Sequence, residues 1–245
     1  MRGKLSVIGF GPGSIDYMTM KAIKAIEHAD IVIGHTTYVD ILRQPFPNKS
    51  YRAVDTMEEL EEHCRIAVKD AQEGWNVAIG NSGDSGIYGI AGIIYQVAEE
   101  MDADVDIEVI PGITAAFAAA SILGAPLMHD TALINLFDWI TPLDIILSRI
   151  DAVAASDMVI CLYSPKSINH PDNLDKATDV IMRYRDPETP VGIVRNAGRH
   201  DQSHIITTLN MLKEADVDMF ATVIIGNSQT FVSNGRMITS RGYTP

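Results

Sequence analysis

The chain has 245 residues, of which 47% are hydrophobic and 21% are charged, and its formal net charge is −13 at pH 7. This length allows one large domain or two small ones, each with a substantial core. The acidic balance argues against nucleic acid as a partner, because nucleic-acid binding needs a basic surface that displaces counterions. A few arginines and backbone N–H groups could still form a local site for an anionic small molecule.

Neither a membrane partner nor a targeting segment is expected. No apolar run approaches the roughly 20 residues of a transmembrane helix, and the opening sequence MRGKLSVIGF is too short and too strand-like for a signal peptide. Cys64 lies in a helical pattern and Cys161 in the apolar run MVICLY, so both are expected to be buried free thiols. We therefore expect a cytoplasmic protein without disulfides.

Strand-like and helical patterns alternate through the first half of the chain. The predicted strands are Leu5–Phe10, Ile31–Gly34, Val77–Gly80 and Ile107–Ile110. The predicted helices are Tyr17–Ala29, Met57–Glu73 and Ile87–Met101. Asp55 and Thr56 provide a capping signal for the second of these helices. This alternation predicts an α/β domain with a mostly parallel, doubly wound sheet.

The second half predicts an α/β domain with a mixed sheet. The predicted helices are Ile113–Leu123, Leu143–Ala154 and Asn169–Tyr184. The predicted strands are Ala132–Phe137, Met158–Tyr163, Val191–Arg195, Ile205–Thr208, Thr222–Ile225 and Phe231–Ile238, the last with a hairpin signal at Asn234-Gly235. Asp138, Thr141 and Pro142 are expected to cap the helix that begins at Leu143. We place the domain boundary near Pro111-Gly112, which gives domains of residues 1–112 and 113–245.

The first predicted strand ends in a loop with three glycines, Gly9, Gly11 and Gly13. The loop partly matches the dinucleotide fingerprint G-x-G-x-x-G. However, the third glycine comes one residue early, Pro12 removes a backbone donor, and no acidic residue ends the second strand. A nicotinamide cofactor, and with it a dehydrogenase, is therefore disfavoured, while a purely structural turn stays open.

Two more glycine-bearing loops follow predicted strands. The stretch NSGDSGIYG, residues 81–89, places Asp84 among glycines, and VIPGITAA leads into a helix whose first N–H groups, from Ile113 to Ala115, suit a carboxylate. Open α/β sheets bind ligands at the carboxyl ends of their strands. We interpret the three loops as a ligand cleft that the glycines hold open.

The motifs GFGPG, SGD…IYG and PGITAA together resemble the tetrapyrrole methyltransferases that use S-adenosylmethionine, the class III methyltransferase fold. Four stretches of the second half resemble the branch of that family that methylates C17 of precorrin-3B or its cobalt form. They are GAPLMHDTALINLFDWITP (124–142), LYSPKS (162–167), TPVGIVRNAGR (189–199) and VDMFATVIIGNS (217–228). The likeness covers essentially the whole chain in order.

The resemblance implies a two-domain α/β homodimer that acts in cobalamin biosynthesis. Its activity would be methylation of C17 of a tetrapyrrole by S-adenosyl-L-methionine, coupled to contraction of the macrocycle, with S-adenosyl-L-homocysteine as product. Two alternatives stay open: methylation at a different ring carbon, and a carrier that binds the tetrapyrrole without turnover. Whether the substrate is metal-free or contains cobalt is also open.

Carried over by motif, ten residues would line the cofactor: Pro12, Ser82, Gly83, Asp84, Ile87, Thr114 and Ala115 from the first domain, and Ser164, Ala197 and Asn227 from the second. The chain departs from the family pattern at two of these loops. Ser85 stands where many relatives have proline, and Ser164 stands where the family usually has asparagine.

Ring contraction needs proton movement, for which Asp84 and His129 are the catalytic candidates. The carboxylates of a tetrapyrrole call for cations and amide donors. The candidates for that role are Arg195, Arg199, Lys166 and His35. A metal site on the protein is not expected, because His200 and His204 fall in a loop that leads to a strand. Cobalt, where present, would belong to the substrate.

Overall fold

The computed structural model describes residues 3–166 and 170–243. The chain divides into two compact units, Met1–Thr114 and Ala115–Pro245. That residues 1–112 and 113–245 are separate folding domains stays a prediction. Ser167, from the motif LYSPKS, and Asn169, the predicted start of a helix, lie outside the described residues.

The first unit is built on a parallel sheet, as predicted, and this sheet has five strands where four were expected. Its strands are β1 (Lys4–Gly9), β2 (Ile31–His35), β3 (Ser50–Val54), β4 (Val77–Asn81) and β5 (Asp106–Ile110), in the order β3-β2-β4-β1-β5. Its helices are α1 (Met20–His28), α2 (Thr36–Arg43), α3 (Met57–Gln72) and α4 (Ala91–Glu100). The sequence patterns missed α2 and β3, because Pro45 and Pro47 interrupt the stretch between them and β3 (SYRAV) is not a continuous apolar run.

Helices cover both faces of this sheet. Leu5 and Val7 of β1 pack against α3 and α4, whereas Ile8 packs on the opposite face against α1 and α2. The alternation follows from the period-two pattern of a strand. With both faces buried, only the edges of the sheet are left for binding, and the glycine-bearing loops lie at the carboxyl edge.

The second unit contains a mixed five-stranded sheet, again as predicted. Its strands are β7 (Thr131–Asn135), β8 (Val159–Tyr163), β9 (Pro190–Arg195), β10 (Ser203–Thr208) and β11 (Ala221–Ile225), in the order β10-β9-β11-β8-β7. Strands β7 and β8 are parallel, while β11 runs antiparallel to both β8 and β9. A small sheet adds β6 (Gly124–Ala125), β12 (Thr230–Ser233) and β13 (Arg236–Thr239). The helices are α5 (Ala115–Leu123), α6 (Leu143–Ala155) and α7 (Asn173–Ile181).

Two local predictions about turns and caps are confirmed, and one is wrong. The Thr56 hydroxyl caps α3 by accepting the Glu59 N–H at 3.2 Å, and Asn234-Gly235 turns the β12–β13 hairpin with positive φ at both residues. The expected cap of α6 is wrong: the helix is preceded by Pro142 without a side-chain cap, and the Asp138 carboxylate instead contacts His170 at 3.0 Å.

Candidate active site

The three glycine-bearing loops lie side by side at the carboxyl edge of the first sheet. They follow the neighbouring parallel strands β4, β1 and β5, and comprise residues 82–90, 10–14 and 111–114, which we call the glycine loops. Backbone hydrogen bonds join the first two: Gly11 N donates to Gly83 O at 3.1 Å, and Gly83 N donates to Gly11 O at 2.8 Å. The structure thus brings Gly11 and Gly83 together, although they lie 72 residues apart in the sequence.

Asp84 ties the glycine loops to one another. One carboxylate oxygen accepts the N–H of Gly86 at 2.8 Å within its own loop, and the other accepts the N–H of Gly112 at 2.9 Å from the loop after β5. These two bonds hold the carboxylate between the two loops. The side chain that we predicted to be catalytic therefore has a defined structural role, and each oxygen keeps a lone pair for a further donor.

Two of the glycines, Gly9 and Gly112, let the loops approach each other closely, and the ligand cleft that we expected at these loops stays a prediction. A Cβ atom on Gly112 would lie 2.2 Å from Gly83 O and 2.6 Å from Gly9 O, and one on Gly9 would lie 2.6 Å from Gly83 O. These contacts are with backbone atoms, which have little freedom to move. The three strand ends can meet here because Gly9 and Gly112 lack a side chain, while Gly83 adopts a left-handed backbone with φ +68°.

The other residues predicted to line the cofactor in the first unit also lie in the glycine loops. Pro12 and Thr114 are buried, Ile87 is half-buried and Ser82 is exposed. His35, a predicted substrate residue, ends β2 at the same edge, where its ring Nδ1 accepts the Thr37 N–H at 3.3 Å and so caps α2. All of these residues share one edge of one sheet.

In the second unit, predicted site residues gather where β8 and β9 end. Ser164 follows β8 with a left-handed backbone, φ +47°, and Ala197 follows β9 between Asn196 and Gly198, which have φ of +51° and +72°. Left-handed geometry at residues other than glycine is costly and is concentrated at functional sites. Lys166 and Arg199 belong to the same two loops. Lys166 has no ion pair with any residue within 3–166 and 170–243.

Arg195, a predicted substrate residue, is already engaged. It ends β9 and its guanidinium pairs with the carboxylates of Asp218 and Asp216, the latter at 3.8 Å. The side chain is 44% exposed, so the pairs are of the exposed type, which contribute little to stability. A substrate carboxylate would have to compete with both aspartates.

Asn227 lies at the opposite end of this sheet from Ser164 and Ala197. It follows β11, which runs antiparallel to β8 and β9, so that Ile225 pairs with Ile160 and Val191 near the starts of those strands. Its amide donates to Asp157 O at 3.0 Å and accepts the Gln229 N–H at 3.0 Å. The structure thus gives Asn227 the role of fixing a turn and does not bring it to the other cofactor residues.

His129 also lies at that opposite edge. It immediately precedes the segment Asp130–Thr131 that pairs with the start of β8, and its Nδ1 accepts the Asp130 N–H at 3.0 Å. Its catalytic role stays a prediction.

Arg241, which the sequence patterns did not single out, lines a cavity of about 500 Å³ with His129. The two approach because β13 pairs with β6, and no sequence signal predicted that pairing of short strands.

One of the first N–H groups of α5, the helix that follows the third glycine loop, donates a hydrogen bond to a side chain of the second unit. The Tyr163 hydroxyl, at the end of β8, accepts the Ala116 N–H of α5 at 3.2 Å. Ala115, a predicted cofactor residue, is the first residue of α5. Tyr163 was not among the predicted site residues, although it stands in the LYSPKS motif.

The cysteines are buried free thiols, as predicted, and burial raises the pKa of both Cys64 and Cys161 to about 12. Within the described residues, no group of three His, Cys, Asp or Glu side chains could hold a metal ion. None of the described helices is long and apolar enough to cross a membrane.

The glycine loops have the donor and acceptor groups that S-adenosylmethionine requires. The cofactor carries hydroxyls and an adenine, which bind to backbone groups and to a hydroxyl such as that of Ser82, and a positive charge, which favours a nearby carboxylate such as that of Asp84. Gly86 adds open space, since a Cβ there would meet only Asp84 Oδ1 at 3.2 Å. The residues present therefore fit the group that the motifs predicted.

Comparisons with known proteins identify the family of the chain. The family of Tetrapyrrole (Corrin/Porphyrin) Methylases matches residues 4–213. The chain is 45% identical to a probable cobalt-factor III C(17)-methyltransferase of Salmonella typhimurium, over 98% of this chain and 99% of that protein. It is 42% identical to a cobalt-factor III methyltransferase of Priestia megaterium, over 99% of this chain but only 46% of that longer relative.

A solved structure shows the same fold. The methyltransferase CobJ superposes with a TM-score of 0.90 and 28% identity, and the match covers 97% of this chain and all of that one. The predicted class III fold, with its parallel first sheet and mixed second sheet, is confirmed. Because the family model covers most of its length, the chain belongs to the tetrapyrrole (corrin/porphyrin) methylases.

Proposed function

We propose that this protein transfers the methyl group of S-adenosyl-L-methionine to C17 of a cobalt tetrapyrrole of the cobalt-factor III type, in the biosynthesis of cobalamin (vitamin B12). The observation that carries the proposal is the 45% identity, across almost all of both chains, to the Salmonella typhimurium relative named for that reaction. The name of the Priestia megaterium relative supports the same cobalt-containing substrate.

The proposed cofactor site uses nine of the ten residues that the family motifs carried over. They are Pro12, Ser82, Gly83, Asp84, Ile87 and Thr114 from the first unit, and Ala115, Ser164 and Ala197 from the second. Asn227 is left out, because its amide is committed to Asp157 and Gln229 at the other edge. When bound, the sulfonium cofactor supplies an electrophilic methyl group that a nucleophilic ring carbon can accept.

The work left to the protein is mainly to align two reactants and to exclude water. Loops tied by backbone hydrogen bonds suit this task, because they hold polar groups in place without mobile side chains. Asp84 supports it by fixing two of the glycine loops and by placing a negative charge where a cationic donor would bind. Methyl transfer of this kind needs neither a catalytic triad nor a resident metal.

Substrate carboxylates would be bound by Lys166 and Arg199 beside the ends of β8 and β9, and by His35 at the end of β2. Arg195 would serve only where a carboxylate displaces its aspartate partners. Macrocycle contraction would need an acid or base, for which Asp84 and His129 remain the predicted groups.

A homodimer in the cytoplasm is proposed on the family resemblance alone, and sedimentation at several concentrations tests the dimer.

The test incubates the purified protein anaerobically with S-adenosylmethionine carrying a ¹³C-methyl group, in separate tubes with cobalt-factor III and with metal-free precorrin-3B. Mass spectrometry counts added methyl groups, and NMR assigns the labelled carbon. One methyl at C17 of the cobalt compound is the expected result. Labelling of a different ring carbon would favour the alternative methyltransferase, and binding without any labelled product would favour a carrier.

A further inference from the structure

Four large apolar side chains are exposed at the carboxyl edge of the second unit's sheet. Trp139 is 63% exposed and Ile140 79% exposed in the loop after β7, while Met219 is 46% and Phe220 57% exposed just before β11. We call these four residues the apolar rim. In the sequence, the segments of these residues match only an expected helix cap and a family motif.

The sheet order brings the two pairs to the same edge. Strand β7 runs toward this edge and β11 starts from it, and β8 lies between them. With neighbouring strands about 4.8 Å apart, the two halves of the rim are separated by roughly 10 Å. Ser164, which follows β8, lies between the halves, and the loop with Ala197 continues the edge after β9.

Both halves of the rim are anchored at their bases, so their exposure is a property of the folded structure. Leu136 N donates to Tyr163 O at 2.9 Å, and Leu136 O accepts the buried Asn173 amide at 3.1 Å. The Trp139 ring meets Phe137 edge-on, with ring centroids 6.1 Å apart. On the other side, Phe220 N donates to Asp218 Oδ1 at 2.9 Å.

The surroundings of the rim define what can cover it. Lys166 and Arg199 lie in the neighbouring loops of the same edge, whereas the nearby carboxylates of Asp216 and Asp218 are paired with Arg195. An occupant should therefore combine an apolar face with peripheral negative charge. A tetrapyrrole has these properties, because its conjugated ring is flat and apolar while its side chains end in carboxylates. Aromatic side chains pack favourably on such faces, and arginine and lysine bind such carboxylates.

We propose that the apolar rim is the surface on which this protein seats the flat face of its tetrapyrrole substrate, with Trp139 as the main contact. The inference rests on the proposed function and deepens it, because it assigns the substrate's ring to named residues of the second unit. Trp139 sets the affinity and orientation of the macrocycle, and it takes no part in binding the methyl donor.

The chain offers a matched control, since it contains only two tryptophans. Trp75 is 51% exposed and lies just before β4, at the amino edge of the first unit's sheet. We would compare Trp139→Ala, Trp139→Phe and Trp75→Ala in the full chain. Calorimetry would measure the Kd for cobalt-factor III and, separately, for S-adenosylhomocysteine, and steady-state assays would separate KM from kcat.

Loss of a stacking contact should weaken macrocycle binding roughly tenfold in Trp139→Ala. Trp139→Phe should retain binding within about threefold, because the phenyl ring still offers an aromatic face. We expect the Kd for S-adenosylhomocysteine to stay unchanged in both variants, and Trp75→Ala to match the parent protein in every measurement. Sedimentation of each variant shows whether the rim instead joins two copies of the chain.

The outcomes separate this inference from the proposed function. A parent protein that methylates C17 while Trp139→Ala keeps the parent Kd and KM for the macrocycle would overturn the inference alone. If the parent protein binds the macrocycle through Trp139 but transfers no methyl group, the inference about the rim stands and the proposed methyltransferase function is overturned. A dimer lost in Trp139→Ala with macrocycle affinity intact would identify the rim as an interface between copies, against the proposal.

Discussion

Asp84 Oδ2 accepts the backbone N–H of Gly112 at 2.9 Å, which joins the loops after β4 and β5 across the end of β1. The other oxygen of the same carboxylate accepts Gly86 N–H at 2.8 Å. Asp84, whose chemistry suggested acid–base catalysis, thus also holds two of the glycine loops together by hydrogen bonds. Its two possible roles predict different results when it is changed.

Replacing Asp84 by alanine should leave two backbone donors without partners and loosen the loops. We expect the free energy of unfolding to fall by about 1–3 kcal/mol and the Kd for S-adenosylhomocysteine to rise by about tenfold. Urea unfolding and calorimetry measure the two effects. Asp84→Asn keeps the shape and one acceptor, so it should lie between alanine and the parent. If Asp84 acts only by positioning, the pH profile of kcat in Asp84→Asn keeps the limbs of the parent, and a missing basic or acidic limb would contradict that role.

Gly112→Ala should disrupt the glycine loops, because the new Cβ would lie 2.2 Å from Gly83 O and 2.6 Å from Gly9 O. Neither backbone can move without breaking the sheet edge, so we expect a loss of several kcal/mol, on the order of an overpacked core, together with loss of cofactor binding. Thermal unfolding and S-adenosylhomocysteine titration provide the measurements.

Gly92→Ala is the matched control for that prediction. Gly92 lies in the exposed first turn of α4, and a Cβ there meets no atom within 4 Å. We expect this variant to be more stable by about 0.5–1 kcal/mol, because alanine favours helix, with unchanged cofactor binding. Equal damage from both substitutions would show that close packing of the loops is not the cause.

Asn227→Ala should separate stability from cofactor binding. Its buried amide donates to Asp157 O and accepts from Gln229 N–H, so we expect a loss of about 1–3 kcal/mol in unfolding free energy. The Kd for S-adenosylhomocysteine should stay within twofold of the parent, since the residue lies at the edge away from Ala197. Ala197→Leu is the comparison, with a large rise in that Kd expected. If Asn227→Ala stays folded but has a higher Kd for S-adenosylhomocysteine, Asn227 does belong to the cofactor site.

Both thiols should resist modification in the folded protein. Burial disfavours the thiolate and raises the pKa of Cys64 and Cys161 to about 12, so at pH 8 only about one thiol in 10,000 is ionised. We expect a chromogenic disulfide reagent to label neither cysteine at pH 8 in native protein and both in guanidinium chloride. Rapid labelling of one thiol without denaturant would show that its burial is incomplete in solution.

Local patterns were sufficient for the larger elements and for their order. Apolar runs located β1 and β4, and helical patterns located α3 and α6, to within a few residues, because each of these patterns is contained in the element's own residues. They missed α2, β3 and β6, because β3 (SYRAV) is not a continuous apolar run, α2 is only eight residues long and β6 has only two residues. The cap expected from Asp138 failed because a partner distant in sequence, His170, binds that carboxylate.

By itself the sequence determined the α/β class, the mixed second sheet, the two buried thiols and the membership in a methylase family, since each depends on residue order and composition. Only the tertiary structure decided which candidate residues meet. Strand direction placed Ser164 and Ala197 at one edge of the second sheet and Asn227 and His129 at the other. Close packing of Gly9, Gly83 and Gly112 holds the glycine loops together. Both results depend on pairing between distant segments, because the direction and register of a strand are set by the neighbour it binds.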